Sequence, residues 1–299
     1  MRIGIGTAQL GTNYGVTNRV GQVSRSEAGR ILGRAAERGV DLLDTAAAYG
    51  ESESILGGLL WAGHPFRIVT KLGPLTAAGD GASQEAAAER VHGACRQSLD
   101  RLRQDSLYAL LVHQAADLLG PAGGEIWQAL TRLKEEGLVH KIGVSVYTAA
   151  EIDKVLKTFV PEVVQLPINA LSQTLARSQR IARLRAAGVE IHARSVFLQG
   201  ILLADPCELP AYFSPYTEVL ERFHQLAREL RVSPLRLALG YVSGVREIDA
   251  YVVGVTSVPE LDEILDAACV PLQRAPDWST VACSDDALTN PGRWPKDLR

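Results

Sequence analysis

The sequence predicts an α/β protein, a (β/α)8 TIM barrel, on three observations. A strand-length apolar run recurs eight times in 299 residues, each run closes on a polar residue or a glycine, and a helix-like stretch follows it. Short continuous apolar strands between helices indicate a parallel sheet buried on both faces, and eight of them indicate a closed barrel. A barrel of about 250 residues commonly forms one unit, so a single domain over residues 1–299 is expected.

The expected strands lie at residues 3–7, 40–44, 66–71, 107–113, 141–145, 162–165, 190–195 and 250–254. Helix signals fall between them. Ser24-x-x-Glu27, Thr148-x-x-Glu151 and Ser257-x-x-Glu260 have the spacing of capping boxes, and Ser233-Pro234 sets an N-cap before a proline at the first helical position. Residues 84–103 carry Ala, Val, Leu and Arg at helical spacing, and Gly188 closes the helix that precedes the seventh strand. An open doubly wound sheet is the alternative, but Gly4 and Gly6 are not continued into a G-x-G-x-x-G turn after the first strand. Two stretches interrupt the alternation, residues 196–215 and the tail 276–299. In a barrel, long connections on the carboxyl face build or cover the site, so Tyr14, Phe213, Trp278 and Trp294 are candidates for packing a substrate.

Composition narrows the function classes. Hydrophobic residues make up 46% and charged residues 22%, ordinary for a globular protein. A net charge of -3 with scattered Lys and Arg offers no nucleic-acid surface. No apolar stretch reaches the roughly 20 residues that span a bilayer, and the opening MRIGIGTAQL has no leader pattern, so a cytoplasmic location away from the membrane is expected. Cys95, Cys207, Cys269 and Cys283 lack C-x-x-C spacing, and His64, His92, His140, His192 and His224 lack partners at ligand spacing, so neither disulfides nor a metal are implied. Monomer is the default state.

Polar residues that end the strands of a parallel barrel converge on one mouth. Here these are Asp44, Lys71, His113, Ser145, Gln165 and Ser195, and Tyr49 follows five residues after Asp44. A buried ammonium needs a carboxylate, which Asp44 on the neighbouring strand supplies to Lys71. An ammonium beside a phenol stabilises phenolate, which would bring the Tyr49 pKa down from about 10 and make it a general acid at neutral pH. His113 would donate a hydrogen bond to a carbonyl and orient it.

The segment Asp44-Thr45-Ala46-Ala47-Ala48-Tyr49-Gly50, the strand-ending Lys71 and His113, and the later Gly143-Val144-Ser145 and Gln165-x-Pro167-x-Asn169 resemble the aldo-keto reductase family over nearly the whole chain. The resemblance implies an NAD(P)H-dependent oxidoreductase that reduces an aldehyde or ketone to an alcohol, or the reverse, with Tyr49 as proton donor and Asp44, Lys71 and His113 completing the catalytic set. It implies that Ser145 and Gln165 hold the nicotinamide carboxamide. The family's Asn after the serine is Val146 here, and Asn169 is the candidate substitute. Thr7, Ser195, Phe197, Gln199 and Gly200 are further candidate cofactor contacts, as are Gly254, Thr256, Ser257 and Glu260 around the last βα connection. That connection lacks the Lys and Arg with which family members hold a 2′-phosphate, and Glu260 would repel one, so NAD(H) is favoured over NADP(H). The N-terminus of the last helix is expected to hold an anion.

The opening Gly6-Thr7-Ala8-Gln9-Leu10-Gly11 with Tyr14-Gly15 and Asn18 is similar to a bacterial subgroup that includes the oxidoreductase-like division regulator KidO. That similarity implies the rival function, an NAD(H)-binding sensor that uses its barrel to bind a protein partner in place of turning over a small carbonyl compound.

Overall fold

Eight strands, β1 (Ile3–Gly6), β2 (Leu42–Asp44), β3 (Arg67–Leu72), β4 (Leu107–Val112), β5 (Val139–Ser145), β6 (Val163–Pro167), β7 (Glu190–Arg194) and β8 (Ala250–Gly254), pair in chain order as a closed barrel. Every pairing is parallel, including the closure of β8 on β1. The computed structural model describes residues 2–75, 84–295 and 298. Each strand begins and ends within two residues of the sequence expectation, because the apolar runs are themselves the segments buried on both faces.

The helices form because their apolar residues recur at helical spacing. In Arg25–Glu37 these are Ala28, Ile31, Leu32 and Ala35, all buried against the barrel. Gln84–Leu102 matches the helix expected there. Gly188 adopts φ +75° after Gln179–Ala186, a left-handed turn that glycine makes without steric cost. Two apolar layers result. The larger lies between strands and helices, and a small one of Leu42, Val69, Ala109, Leu111, Val163 and Ala250 fills the barrel beneath its mouth. No helix of the described residues is long and apolar enough to cross a membrane.

Only one of the three expected capping boxes is complete. Thr148 and Glu151 exchange both hydrogen bonds at Ala149–Thr158. Ser24 and Ser257 accept from the Glu27 and Glu260 amides, but neither glutamate side chain returns to its own N-cap amide. Glu27 reaches across to the Val258 N–H at 3.0 Å, and Glu260 takes the Thr256 N–H at 2.7 Å. A cap spacing sets the local half of the box, while the free carboxylate goes to whatever donor the tertiary fold brings near.

The two irregular stretches do different work. Residues 196–215 form short 3-10 turns, Pro206–Glu208 and Ala211–Tyr216, at the barrel mouth. The tail is a packing element. Trp294 is fully buried with its edge on Phe213 (5.2 Å) and its indole N–H donating to the Leu288 carbonyl (3.2 Å). Trp278 packs against Tyr241. Of the four aromatic residues expected to pack a substrate, only Tyr14 faces the cavity at the mouth, because the other three satisfy the barrel's own apolar surface. His192 also differs from expectation. It is buried inside the barrel with Nε2 2.8 Å from Glu190, a carboxylate two residues earlier on the same face of β7.

Candidate active site

A cavity of about 850 Å³ opens at the carboxyl ends of the strands. Asp44 enters it from β2, and the loop after it is seated by close backbone packing. The Thr7 amide and hydroxyl both donate to the Asp44 carbonyl, at 2.9 and 3.0 Å. Gly11 lets the turn after β1 approach Tyr49, since a Cβ on Gly11 would lie 1.8 Å from the Tyr49 carbonyl oxygen. Gly50, at φ +55°, faces Gly11 with similar closeness. Two glycines therefore fix where the Tyr49 ring stands.

Behind that ring lies a buried ion pair. Lys71 Nζ donates to Asp44 Oδ1 at 2.6 Å and to the Thr45 carbonyl at 2.9 Å, while Gln165 Nε2 donates to Asp44 Oδ2 at 2.6 Å. The Lys71 ammonium stands 5.1 Å from the Tyr49 ring centroid, and the His113 ring meets Tyr49 edge-on at 5.8 Å. The four residues of the expected catalytic set are thus brought together.

The charge balance differs from the sequence argument. Burial raises the Tyr49 pKa, the Asp44 carboxylate raises it further, and the Arg194 guanidinium opposes them without reversing the shift. The expected lowering by Lys71 is absent because the ammonium is spent on Asp44, and burial lowers the pKa of Lys71 itself against the pull of that carboxylate. Burial also takes His113 down to about 4, with Lys71 and Arg194 adding to the effect and Asp44 resisting it. At neutral pH the pocket therefore presents a neutral phenol and a neutral imidazole.

Thr7, Ser195, Phe197 and Gln199 line the cavity, as do Gly200, Gly254, Thr256 and Glu260. The Thr7 hydroxyl faces Asp44 and Ser52 as well. Ser145 and Ser257 do not line it; Ser145 is buried beside Arg194 Nε at 3.4 Å, and Ser257 is an N-cap. Asn169 does not replace the amide missing at Val146. Its Oδ1 accepts from the Leu171 and Ser172 amides and its Nδ2 donates to the Ser195 carbonyl, so it holds a turn. The connection after β7 is strained, with the non-glycine residues Ser195, Leu198 and Gln199 at φ +59°, +49° and +54°. Backbone strain of this kind concentrates at functional sites.

The helix Val258–Ala268 is not an open anion site. Its N-terminal Thr256, Val258 and Glu260 amides are paired with Glu260, Glu27 and the Ser257 hydroxyl. Two carboxylates stand where an anion was expected.

Sequence reading passed over Arg194. It lies on β7, where Glu190, His192 and Arg194 alternate with the outward Ile191 and Ala193. That period of two was the available signal. Taking Ser195 as the polar end of the strand concealed it.

The fold and this mouth define a TIM barrel with a buried Asp–Lys pair behind a tyrosine and a histidine. Residues 2–280 match the model of the Aldo/keto reductase family, and the chain belongs to that family. An aldo-keto reductase of Mycolicibacterium vanbaalenii is 32% identical over 196 residues, covering 62% of this chain and 64% of that protein. One of Mycobacterium tuberculosis H37Rv is 34% identical over 158 residues, 51% of this chain and 52% of its own. The matches thus span about half to just under two thirds of these curated relatives. Among solved structures, an aldo-keto reductase of Bacillus halodurans in its holo form superposes with a TM-score of 0.72 at 21% identity, over 94% of this chain and 90% of that one. A glycerol dehydrogenase of Gluconobacter oxydans gives 0.69 at 19% identity, over 91% and 88%. At these identities the structures speak for the fold.

Proposed function

We propose that the protein is a nicotinamide-dependent oxidoreductase that interconverts a small carbonyl compound and its alcohol. The observation that carries this reading is the placement of Tyr49 between His113 and the Asp44–Lys71 pair at the mouth of one cavity. Residues present there fit the cofactor. Gln165 Oε1 and Gln199 Oε1 are buried without a hydrogen-bond partner among the described residues, and both side chains border the cavity. A carboxamide N–H matches the first of these acceptors, because the other end of the Gln165 amide is fixed on Asp44.

When bound, a dihydronicotinamide would supply the hydride that the carbonyl carbon takes up. Tyr49 gives its hydroxyl proton to the carbonyl oxygen as negative charge develops there. The raised pKa keeps that proton on the phenol until it is needed. His113, neutral, donates a hydrogen bond that orients the oxygen toward Tyr49. The Asp44–Lys71 pair stands behind the Tyr49 ring, with Asp44 resisting the lowering that burial imposes on the Lys71 pKa.

NAD(H) is favoured over NADP(H). The Glu260 carboxylate at the start of Val258–Ala268 would repel a 2′-phosphate and has Oε1 left to accept from a ribose hydroxyl, while Glu27 beside it is ion-paired with Arg30.

The test is a fluorescence titration of the protein with NADH and with NADPH, followed in the same cuvette by a panel of aldehydes and ketones. NADH binding with oxidation on a panel member is the expected result. NADH binding without turnover on any member would move the assignment to a sensor that reports cofactor state to a protein partner.

A further inference from the structure

Below the tetrad, two neighbouring strands each carry a buried polar side chain with one end spent and the other open. Gln165 on β6 and His192 on β7 are register partners in the parallel sheet, and both are 0% exposed. Toward the mouth, Gln165 Nε2 donates to Asp44 Oδ2 at 2.6 Å; toward the floor, His192 Nε2 meets Glu190 Oε1 at 2.8 Å. The remaining atoms, Gln165 Oε1 and His192 Nδ1, are buried with no hydrogen-bond partner among the described residues. Register partners project from the same face of the sheet, here the barrel interior, on strands about 4.8 Å apart. The Glu190 carboxylate fixes a proton on His192 Nε2, which leaves Nδ1 of the neutral ring an acceptor. The amide oxygen is an acceptor too, so neither atom satisfies the other directly. A water gives one O–H to each, and two bonds of about 2.8 Å meeting at its oxygen span about 4.5 Å, close to the strand spacing. The other register partner of His192 is Ala250, whose methyl offers no competing donor.

We propose that a buried water bridges Gln165 Oε1 and His192 Nδ1, and that His192 is thereby a positioning residue for the amide that meets the cofactor. A single bond to Asp44 leaves the Gln165 amide free to turn about it, and a second bond on Oε1 fixes its plane. An amide oxygen has two lone pairs, so the bridge takes one and leaves the other for the nicotinamide carboxamide. One buried chain then runs from mouth to floor, through Lys71, Asp44, Gln165, the water, His192 and Glu190. The effect on the cofactor rests on the oxidoreductase reading above and deepens it, whereas the bridge rests on the barrel's geometry alone.

His192→Asn and His192→Gln separate the two ends of the ring, because an Asn amide reaches the position of Nδ1 and a Gln amide that of Nε2. Fluorescence titration is expected to give an NADH Kd near wild type for His192→Asn and one about fivefold higher for His192→Gln, carried by the KM for NADH more than by kcat. A role confined to holding Glu190 would give the reverse order and overturn the proposal, as would equal NADH affinity in the two variants. A double-mutant cycle of Gln165→Leu and His192→Leu reads the bridge without cofactor. In urea unfolding the two changes are expected to be coupled about fivefold in the unfolding equilibrium constant, the Asp44 and Glu190 contacts cancelling within the cycle. Coupling in a protein that does not bind NADH upholds the bridge, and the oxidoreductase reading then fails alone; additive changes overturn the bridge. A crystal structure of the wild type that orders buried waters needs no variant. It is expected to show one water about 2.8 Å from both atoms, and a gap closed by apolar packing with neither atom hydrated would overturn the proposal.

Discussion

The two ends of the barrel both bury charge, and they treat it differently. At the floor, where the strands begin, the Glu190 carboxylate accepts from the Tyr108 hydroxyl at 2.6 Å, from Lys141 and from His192 at 2.8 Å. Burial pulls the Glu190 pKa up, but hydrogen bonds from His192, Lys141 and Tyr108 outweigh it and hold the group at about 2. At the mouth, Tyr49 and His113 are pushed toward their neutral forms, and among the described residues two glutamine oxygens lack hydrogen-bond partners and the Arg194 guanidinium lacks a counter-ion. Glu190 is saturated by three donors, although His192 Nδ1 and Arg67 Nε at the same end have no hydrogen-bond partner among the described residues, so the contrast lies in the direction in which each end pushes its titratable groups. The same fold thus separates stability from chemistry along its axis.

The largest way to break this comparison is Tyr49→Phe. Loss of the proton donor is expected to lower kcat about 10³-fold while leaving NADH binding and the unfolding free energy near wild type, as read by steady-state kinetics, fluorescence titration and urea denaturation. Retention of wild-type turnover would remove Tyr49 from the mechanism. Glu190→Gln is the converse. It leaves Lys141, Tyr108 and His192 without their shared acceptor charge, and should cost about 2–3 kcal/mol in urea unfolding with little change in kcat or NADH binding.

A smaller effect is expected at the cofactor's far end. The double change Glu27→Gln and Glu260→Gln removes two carboxylates while retaining side-chain length, and should narrow the gap between NADPH and NADH dissociation constants about tenfold. An unaltered ratio would show that neither carboxylate faces the 2′ position.

The smallest test is the shape of stability against pH. The folded pKa of His113 is depressed from 6.5 to about 4, so the unfolded chain binds its proton first, and stability falls as pH drops from about 6.5 toward 4. The Glu190 pKa is depressed from 4.5 to about 2. Its contribution is present above 4.5 and is lost as pH falls through 2. Mouth and floor therefore lose stability in adjacent, separate windows. His113→Asn should flatten the upper window and Glu190→Gln the lower, both measured by thermal unfolding across a pH series.

Much of the fold was legible because its signals are local. The eight apolar runs mark strands buried on both faces, and Ser24, Thr148, Ser233 and Ser257 all act as N-caps. Asp44, Lys71, His113 and Gln165 could be picked out because parallel strands deliver their last residues to one mouth whatever the loops do. The roles of Trp278, Trp294 and Phe213 were not legible, since an aromatic in a loop has the same sequence appearance whether it meets a ligand or the back of a helix.

The sequence by itself determined the strand and helix order, the closed parallel barrel and the convergence of the tetrad, because each depends on periodicity and topology. Only the tertiary structure decided which charges remain unspent. Glu27 reaches Val258 across 231 positions, Gln165 reaches Asp44 across 121, and Lys71 is neutralised before it can act on the Tyr49 phenol. Arg194 is left facing the cavity for the same reason. Electrostatic balance is set by distances between residues far apart in the chain, and those distances exist only once the barrel has closed.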